Sequence, residues 1–201
     1  MMNKILIGLM LSLTASTYVY SAGDAAAGKE KSLACGACHG ADGNSEIGSF
    51  PKLAGQNAKY LIKQMVEIKS GVRNVASMAG QLDDKNEQDI EDLAAYYSSK
   101  KILGGKTAAD QLELGQKVYR AGIADKQVAA CIACHGAKGQ GLATAAFPAL
   151  AGQHAAYTEK QLKDFRVMAR NNDPSSMMRD IAARLSDVEI KALASYIQGL
   201  H

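Results

Sequence analysis

Cys35-Gly36-Ala37-Cys38-His39 and Cys131-Ile132-Ala133-Cys134-His135 are two C-x-x-C-H units in one 201-residue chain, and they decide how it folds. In such a unit two thiols can add to the two vinyl groups of one haem. The adjacent histidine can then turn an imidazole nitrogen onto the iron. A single unit would also suit a thioredoxin-like redox pair or half of a zinc site. Zinc would need four thiolates brought together, which two separated units oppose, and the βαβ pattern of a thioredoxin site is absent. Four cysteines in an exported chain would ordinarily suggest two disulfides. Here all four belong to the two units and none is left over.

The flanks of the units repeat as well. Ala34 to Ala41 returns as Ala130 to Ala137 at an offset of 96. Phe50-Pro51-Lys52-Leu53-Ala54-Gly55-Gln56 returns as Phe147-Pro148-Ala149-Leu150-Ala151-Gly152-Gln153 at an offset of 97, as do Tyr60, Lys63 and Gln64. Leu93-Ala94-Ala95-Tyr96-Tyr97 returns as Leu193-Ala194-Ser195-Tyr196-Ile197 at an offset of 100. One series of elements therefore occurs twice in the same order, the signature of a duplicated unit. The periodicity is helical. Leu61, Met65 and Ile68 share a face over 57–69, and Leu162 and Phe165 do so over 154–168. A first helix is expected near Gly28 and again near Gln111. Ser186-Asp187-Val188-Glu189 reads as a capping box, and Asn86-Glu87-Gln88-Asp89 as a weaker form of it. No stretch alternates strictly enough to predict a strand. The expectation is an all-α protein of two tandem domains, 22–103 and 106–201, joined across Gly104-Gly105. A domain of about 90 residues has a thin core, so a bound cofactor would help to hold it.

The chain begins like an export signal. Lys4 precedes an apolar run from Ile5 to Leu13, too short to span a bilayer, and Val19-Tyr20-Ser21 places small residues at a cut expected after Ser21. Residues 1–21 are read as that signal, which makes the mature chain an exported one. Formal charge is +3, from 23 basic and 20 acidic residues. It is uneven: 22–104 carry 10 Lys/Arg and 11 Asp/Glu, whereas 105–201 carry 12 and 9. Neither half is basic enough for nucleic-acid binding. The asymmetry suits either an ordinary solvated surface or a dipole that steers partners, with Lys160, Lys163, Arg166 and Arg170 at helical spacing as candidate contacts.

The sixth ligand decides the chemistry, because an open position invites small molecules while methionine favours electron transfer. Of eight methionines, Met1, Met2 and Met10 lie in the signal, Met65 aligns with Leu162 as core filling, and Met168 has no counterpart. That leaves Met78 against Met177 or Met178. Met78 stands 18 residues before Tyr96 and Met178 stands 18 before Tyr196, which selects Met178. Pro51 and Pro148 follow the histidines by 12 and 13 residues; their carbonyls suit either an imidazole N–H or a simple loop turn. His154 reads as a surface or helix-start residue and His201 as solvated.

With these residues in view, the chain resembles the cytochrome c4 family, two-haem periplasmic cytochromes built from two class I cytochrome c domains. The likeness runs from Ala22-Gly23-Asp24 through both Phe-Pro-x-Leu-Ala-Gly-Gln segments to Gly199-Leu200-His201. It implies two haem c groups attached at Cys35, Cys38, Cys131 and Cys134, with His39 and Met78 on one iron and His135 and Met178 on the other. It also implies a one-electron carrier rather than an enzyme, taking electrons from a quinol–cytochrome c reductase type of donor and delivering them to a membrane terminal oxidase. The resemblance leaves room for peripheral association with the membrane. Three other classes compete: a haem subunit of a larger dehydrogenase such as a flavocytochrome, a two-haem peroxidase-like enzyme, and a gas sensor. The last two need an iron with a vacant site, which the paired methionines oppose.

Overall fold

A computed structural model describes residues 23–201. The expected signal over 1–21 and its cut lie outside them. Among the described residues the chain is helical, with two isolated β-bridges, Ile123 to Val128 and Leu142 to Phe147, and no strand. None of its helices is long and apolar enough to cross a membrane.

The first half contains α1 (Ala25–Lys31), α2 (Gly36–His39), α3 (Ala58–Lys69) and α4 (Glu87–Ser98). The second contains α5 (Leu112–Ala121), α6 (Ile132–His135), α7 (Ala155–Arg166), α8 (Met177–Ala182) and α9 (Asp187–Gly199). Helix α8 has no counterpart in the first half, where a 3-10 turn over Ala76–Met78 takes its place. Both expected capping boxes form: the Asn86 side chain accepts from the Asp89 amide, and Ser186 from the Glu189 amide. Each satisfies backbone donors that the first helical turn would otherwise leave unpaired.

Each half is closed by its first helix crossing its last. A Cβ added at Gly28 would lie 2.0 Å from the Asp92 carbonyl oxygen, and one at Gly115 would lie 2.3 Å from that of Ala192. Glycine at these two crossings is therefore what lets the helices touch. Around the crossings pack Leu93, Tyr96 and Tyr97 in the first half and Val118, Tyr119, Leu193 and Tyr196 in the second. Tyr96 and Tyr97 lie 5.1 Å apart by ring centroid, and Tyr119 and Tyr196 lie 5.5 Å apart. The apolar cores differ in size. Leu61, Leu93, Ala94, Tyr96 and Tyr97 make up the first, whereas ten buried residues make up the second. Met65 packs at the edge of the first core, as its match to Leu162 suggested.

The connecting segment is anchored on both sides. Leu103 N–H donates to Asn44 Oδ1 at 2.8 Å in the first half, and Gly105 N–H donates to the Gln198 carbonyl at 2.9 Å in the second.

Candidate functional site

Each C-x-x-C-H unit forms a single helical turn. The His39 amide donates to the Cys35 carbonyl at 3.0 Å and the His135 amide to the Cys131 carbonyl at 2.9 Å. One turn places the two thiols three residues apart and the histidine four residues after the first thiol, all on neighbouring parts of one helical face. The turn ends at once, at Gly40 (φ 79°) and Gly136 (φ 80°), positions that strain any side chain. All four thiols are free. Cys35 and Cys131 are half-buried, whereas Cys38 and Cys134 are exposed. Burial raises the Cys35 thiol above its ordinary value and pushes Cys131 up to about 11.

Both histidines are buried, and each ring is oriented by a proline carbonyl. His39 Nδ1 lies 2.9 Å from Pro51 O, and His135 Nδ1 lies 3.0 Å from Pro148 O. A carbonyl oxygen can only accept, so Nδ1 carries the proton and Nε2 presents its lone pair. Burial lowers both imidazole pKa values against the pull of the carbonyl, which favours the neutral ring a metal needs. Phe50 and Phe147 stand at 6.3 and 6.4 Å from the two rings. Of the two readings open for Pro51 and Pro148, the structure selects the imidazole acceptor.

These residues fit a covalently held haem. Among the described residues neither Nε2 has a hydrogen-bond partner, no cysteine is in a disulfide, and the first apolar core is small for an independent domain. The donor set also opposes zinc, since no cluster of three or more His, Cys, Asp or Glu is placed to hold a metal ion among the described residues.

The methionines are placed differently in the two halves. Met78 is half-buried and ends the 3-10 turn. Met178 is half-buried against the second core, while Met177 is 39% exposed. The second-half loop is three residues longer, and it is held by a residue that the sequence did not single out. Asp173 accepts from the Met178 amide at 2.9 Å, the Arg179 amide at 3.0 Å and Arg179 Nε at 2.7 Å. Ser175 and Ser176, between them, both take left-handed conformations.

The boundary between the halves is polar and pseudo-symmetric. Arg73 Nη2 donates to the Tyr157 hydroxyl at 3.1 Å and to Gln161 Oε1 at 2.9 Å. Arg170 Nη2 donates to the Tyr60 hydroxyl at 3.0 Å and to Gln64 Oε1 at 3.1 Å. Burial alone would raise the Tyr60 phenol, but the Arg170 and Arg73 guanidiniums outweigh it and hold the phenol below its ordinary value. His154 starts α7 as expected and is half-buried. Its Nε2 reaches the Ser45 carbonyl at 2.9 Å across the boundary. Arg170 likewise turns inward, where its guanidinium is engaged by Tyr60, Gln64 and Gln161. Lys163 pairs with Glu159 and Arg166 with Asp187, both at 2.6 Å, and Lys160 pairs with Asp164.

Comparison with known proteins places these features in a family. The model of the cytochrome c family matches residues 25–101 and again 112–201. A cytochrome c4 of Pseudomonas aeruginosa is 49% identical over the whole length of both chains. The crystal structure of reduced recombinant cytochrome c4 from Pseudomonas stutzeri superposes with a TM-score of 0.88 at 50% identity, covering 90% of this chain and all of that one. A thiosulfate dehydrogenase electron acceptor of Thiomonas intermedia is 35% identical, over 86% of this chain and 81% of its own.

Proposed function

Because this chain belongs to the cytochrome c4 family, a two-haem electron carrier with haem c covalently attached in each of two cytochrome c domains, we propose that it passes single electrons in the periplasm to a membrane terminal oxidase. The observation that carries this reading is the pair of imidazoles, each held by a prolyl carbonyl with Nε2 free of partners among the described residues. When bound, each haem supplies a one-electron Fe(II)/Fe(III) couple. The chain's residues then divide the work. Cys35, Cys38, Cys131 and Cys134 would anchor the haems by thioether bonds, and His39 with Met78 and His135 with Met178 would hold the irons. The prolyl carbonyls fix each imidazole so that little rearranges with a change of charge. The domains divide as 22–103 and 106–201, because Leu103 is tied to the first half and Gly105 to the second.

One comparison favours a second acceptor relationship. A relative at 35% identity is an electron acceptor of thiosulfate dehydrogenase, so a periplasmic sulfur-oxidising dehydrogenase is the alternative donor to a quinol–cytochrome c reductase. Stopped-flow oxidation of the reduced protein by membranes bearing the terminal oxidase, across a range of salt, tests the proposal. Fast oxidation that slows with salt is expected if Lys160 and its neighbours steer docking. No oxidation by those membranes, with rapid reduction by the dehydrogenase and thiosulfate, would transfer the assignment to the alternative pathway.

A further inference from the structure

The peptides that orient the two histidines are each bonded at both ends, and the second bond crosses the domain boundary. Lys52 N–H belongs to the same amide as the Pro51 carbonyl that accepts from His39. It donates to Gln153 Oε1 at 2.9 Å, and Gln153 Nε2 donates back to the Lys52 carbonyl at 2.9 Å. The arrangement recurs in mirror form. Ala149 N–H, on the amide whose Pro148 carbonyl accepts from His135, donates to Gln56 Oε1 at 2.7 Å, and Gln56 Nε2 donates to the Ala149 carbonyl at 2.9 Å. Both glutamines are buried, at 8% and 7% exposure. Each Oε1 is fixed by a further amide of its own half, that of Asn57 at 2.9 Å or of His154 at 3.0 Å.

We propose that Gln56 and Gln153 are positioning residues that act across the boundary, each holding and polarising the prolyl amide that orients the histidine of the opposite half. This rests on His39 and His135 being the axial ligands. An acceptor on the N–H of an amide increases the negative charge on its carbonyl oxygen, because hydrogen bonds in a chain polarise one another. A stronger carbonyl acceptor draws the Nδ1 proton further and makes Nε2 a more basic donor to iron. A more basic imidazole stabilises the ferric state, so each glutamine lowers the potential of the haem in the other domain. Pseudo-twofold docking repeats every contact crosswise, but adhesion alone does not require the glutamines to address the two prolyl amides. The consequence is that domain docking and redox potential are coupled: opening the boundary at Gln153 is felt at His39.

The test uses the intact two-haem protein. Gln153→Met fills a similar volume without an amide oxygen, Gln56→Met does so in the mirror position, and Tyr60→Phe breaks an interdomain contact that reaches neither prolyl amide. The unaltered protein must first show the methionine–iron absorption band and histidine-ligated low-spin iron at both sites; their absence would refute the ligand assignment itself, separately from the glutamine effect. Gln153→Met is then expected to raise the potential of the haem at His39, shifting its oxidised-to-reduced ratio about threefold at fixed applied potential, with the His39 Nδ1 proton moving upfield in the reduced protein. Gln56→Met is expected to do the same at His135, and Tyr60→Phe to move neither. In the unaltered protein, the Lys52 amide should exchange more slowly when the protein is oxidised, because a stronger Nδ1 donor tightens the whole chain. That measurement stands even if the methionine variants fail to fold. Equal shifts at both haems, a shift confined to the variant's own half, a matching shift in Tyr60→Phe, or Lys52 exchange indifferent to oxidation state would overturn the proposal.

Discussion

The carboxylate of Asp173 accepts from the backbone amide of Met178 at 2.9 Å, and with its second contact to the Arg179 amide it caps the start of α8. It also binds the Arg179 guanidinium at 2.7 Å. Two successive left-handed serines, Ser175 and Ser176, are held between Asp173 and Met178, a conformation that needs outside support. Asp173→Ala should therefore destabilise the second half by about 1–2 kcal/mol through the lost cap and ion pair. It should also weaken the methionine–iron band of the second haem alone, with the first unaffected. A variant with unchanged stability and an undiminished band would show that Asp173 does not set the position of Met178.

Arg73 ties the two domains together. It is buried and satisfies Gln64 at 2.8 Å in its own half, with Tyr157 and Gln161 in the other. Arg73→Leu takes the donor from the Tyr157 hydroxyl and one donor each from Gln64 and Gln161, which Arg170 still serves, at a cost of about 1–2 kcal/mol. Calorimetry should then resolve two transitions where the unaltered protein unfolds more nearly as one. A single transition at an unchanged temperature would mean that the domains do not rely on this network.

The first half carries an acid-sensitive anchor that the second lacks. Asp92 on α4 is buried and accepts from Lys31 at 2.6 Å, Asp24 N–H at 2.8 Å and Gln88 at 2.8 Å. Lys31 does most to hold its pKa down to about 2, against burial, which pushes upward. The folded value lies below the unfolded one of about 3.9, so the stabilisation is complete above that value and fades as pH falls toward 2. Asp92→Asn should lower the denaturation midpoint at neutral pH, and the difference from the unaltered protein should shrink across the interval from about pH 4 to pH 2. A difference independent of pH would show that the carboxylate charge is not what anchors α1. Ala192 occupies the matching place in α9, so this anchor between the first and last helices is missing from the second half.

The smaller apolar core of the first half makes it the more dependent on haem. Changing both Cys35 and Cys38 to alanine should leave residues 22–103 largely unfolded while the second half keeps its helices and haem. Circular dichroism and limited proteolysis would report this, and a fully helical haem-free first half would contradict it.

Much of this was legible in the sequence because it is local. The C-x-x-C-H turns, the Ser186 and Asn86 caps and the 57–69 helix follow from spacings of three and four residues. The prolyl carbonyls were suggested by their repeated distance from the histidines. The Asp173 contact was hidden because three inserted residues break the repeat there, and the left-handed pair that brings the carboxylate to Met178 falls on serines, which do not announce it. Arg170 was misplaced on the outer face because helical spacing was extended past the end of α7. The helix stops at Arg166, and the chain turns through Met168 at φ 61° and delivers Arg170 to the boundary. Gln56 and Gln153 repeat visibly, but their partners depend on how the two halves dock, which no repeat offset encodes.

Carbon monoxide titration of the fully reduced protein tests the central claim most directly. If His39 with Met78 and His135 with Met178 fill both irons, the absorption spectrum should stay unchanged on the mixing timescale, leaving the protein to move electrons and nothing else. Rapid binding at either iron would mean an exchangeable site, and would contradict the carrier assignment in favour of a peroxidase-like or gas-sensing role.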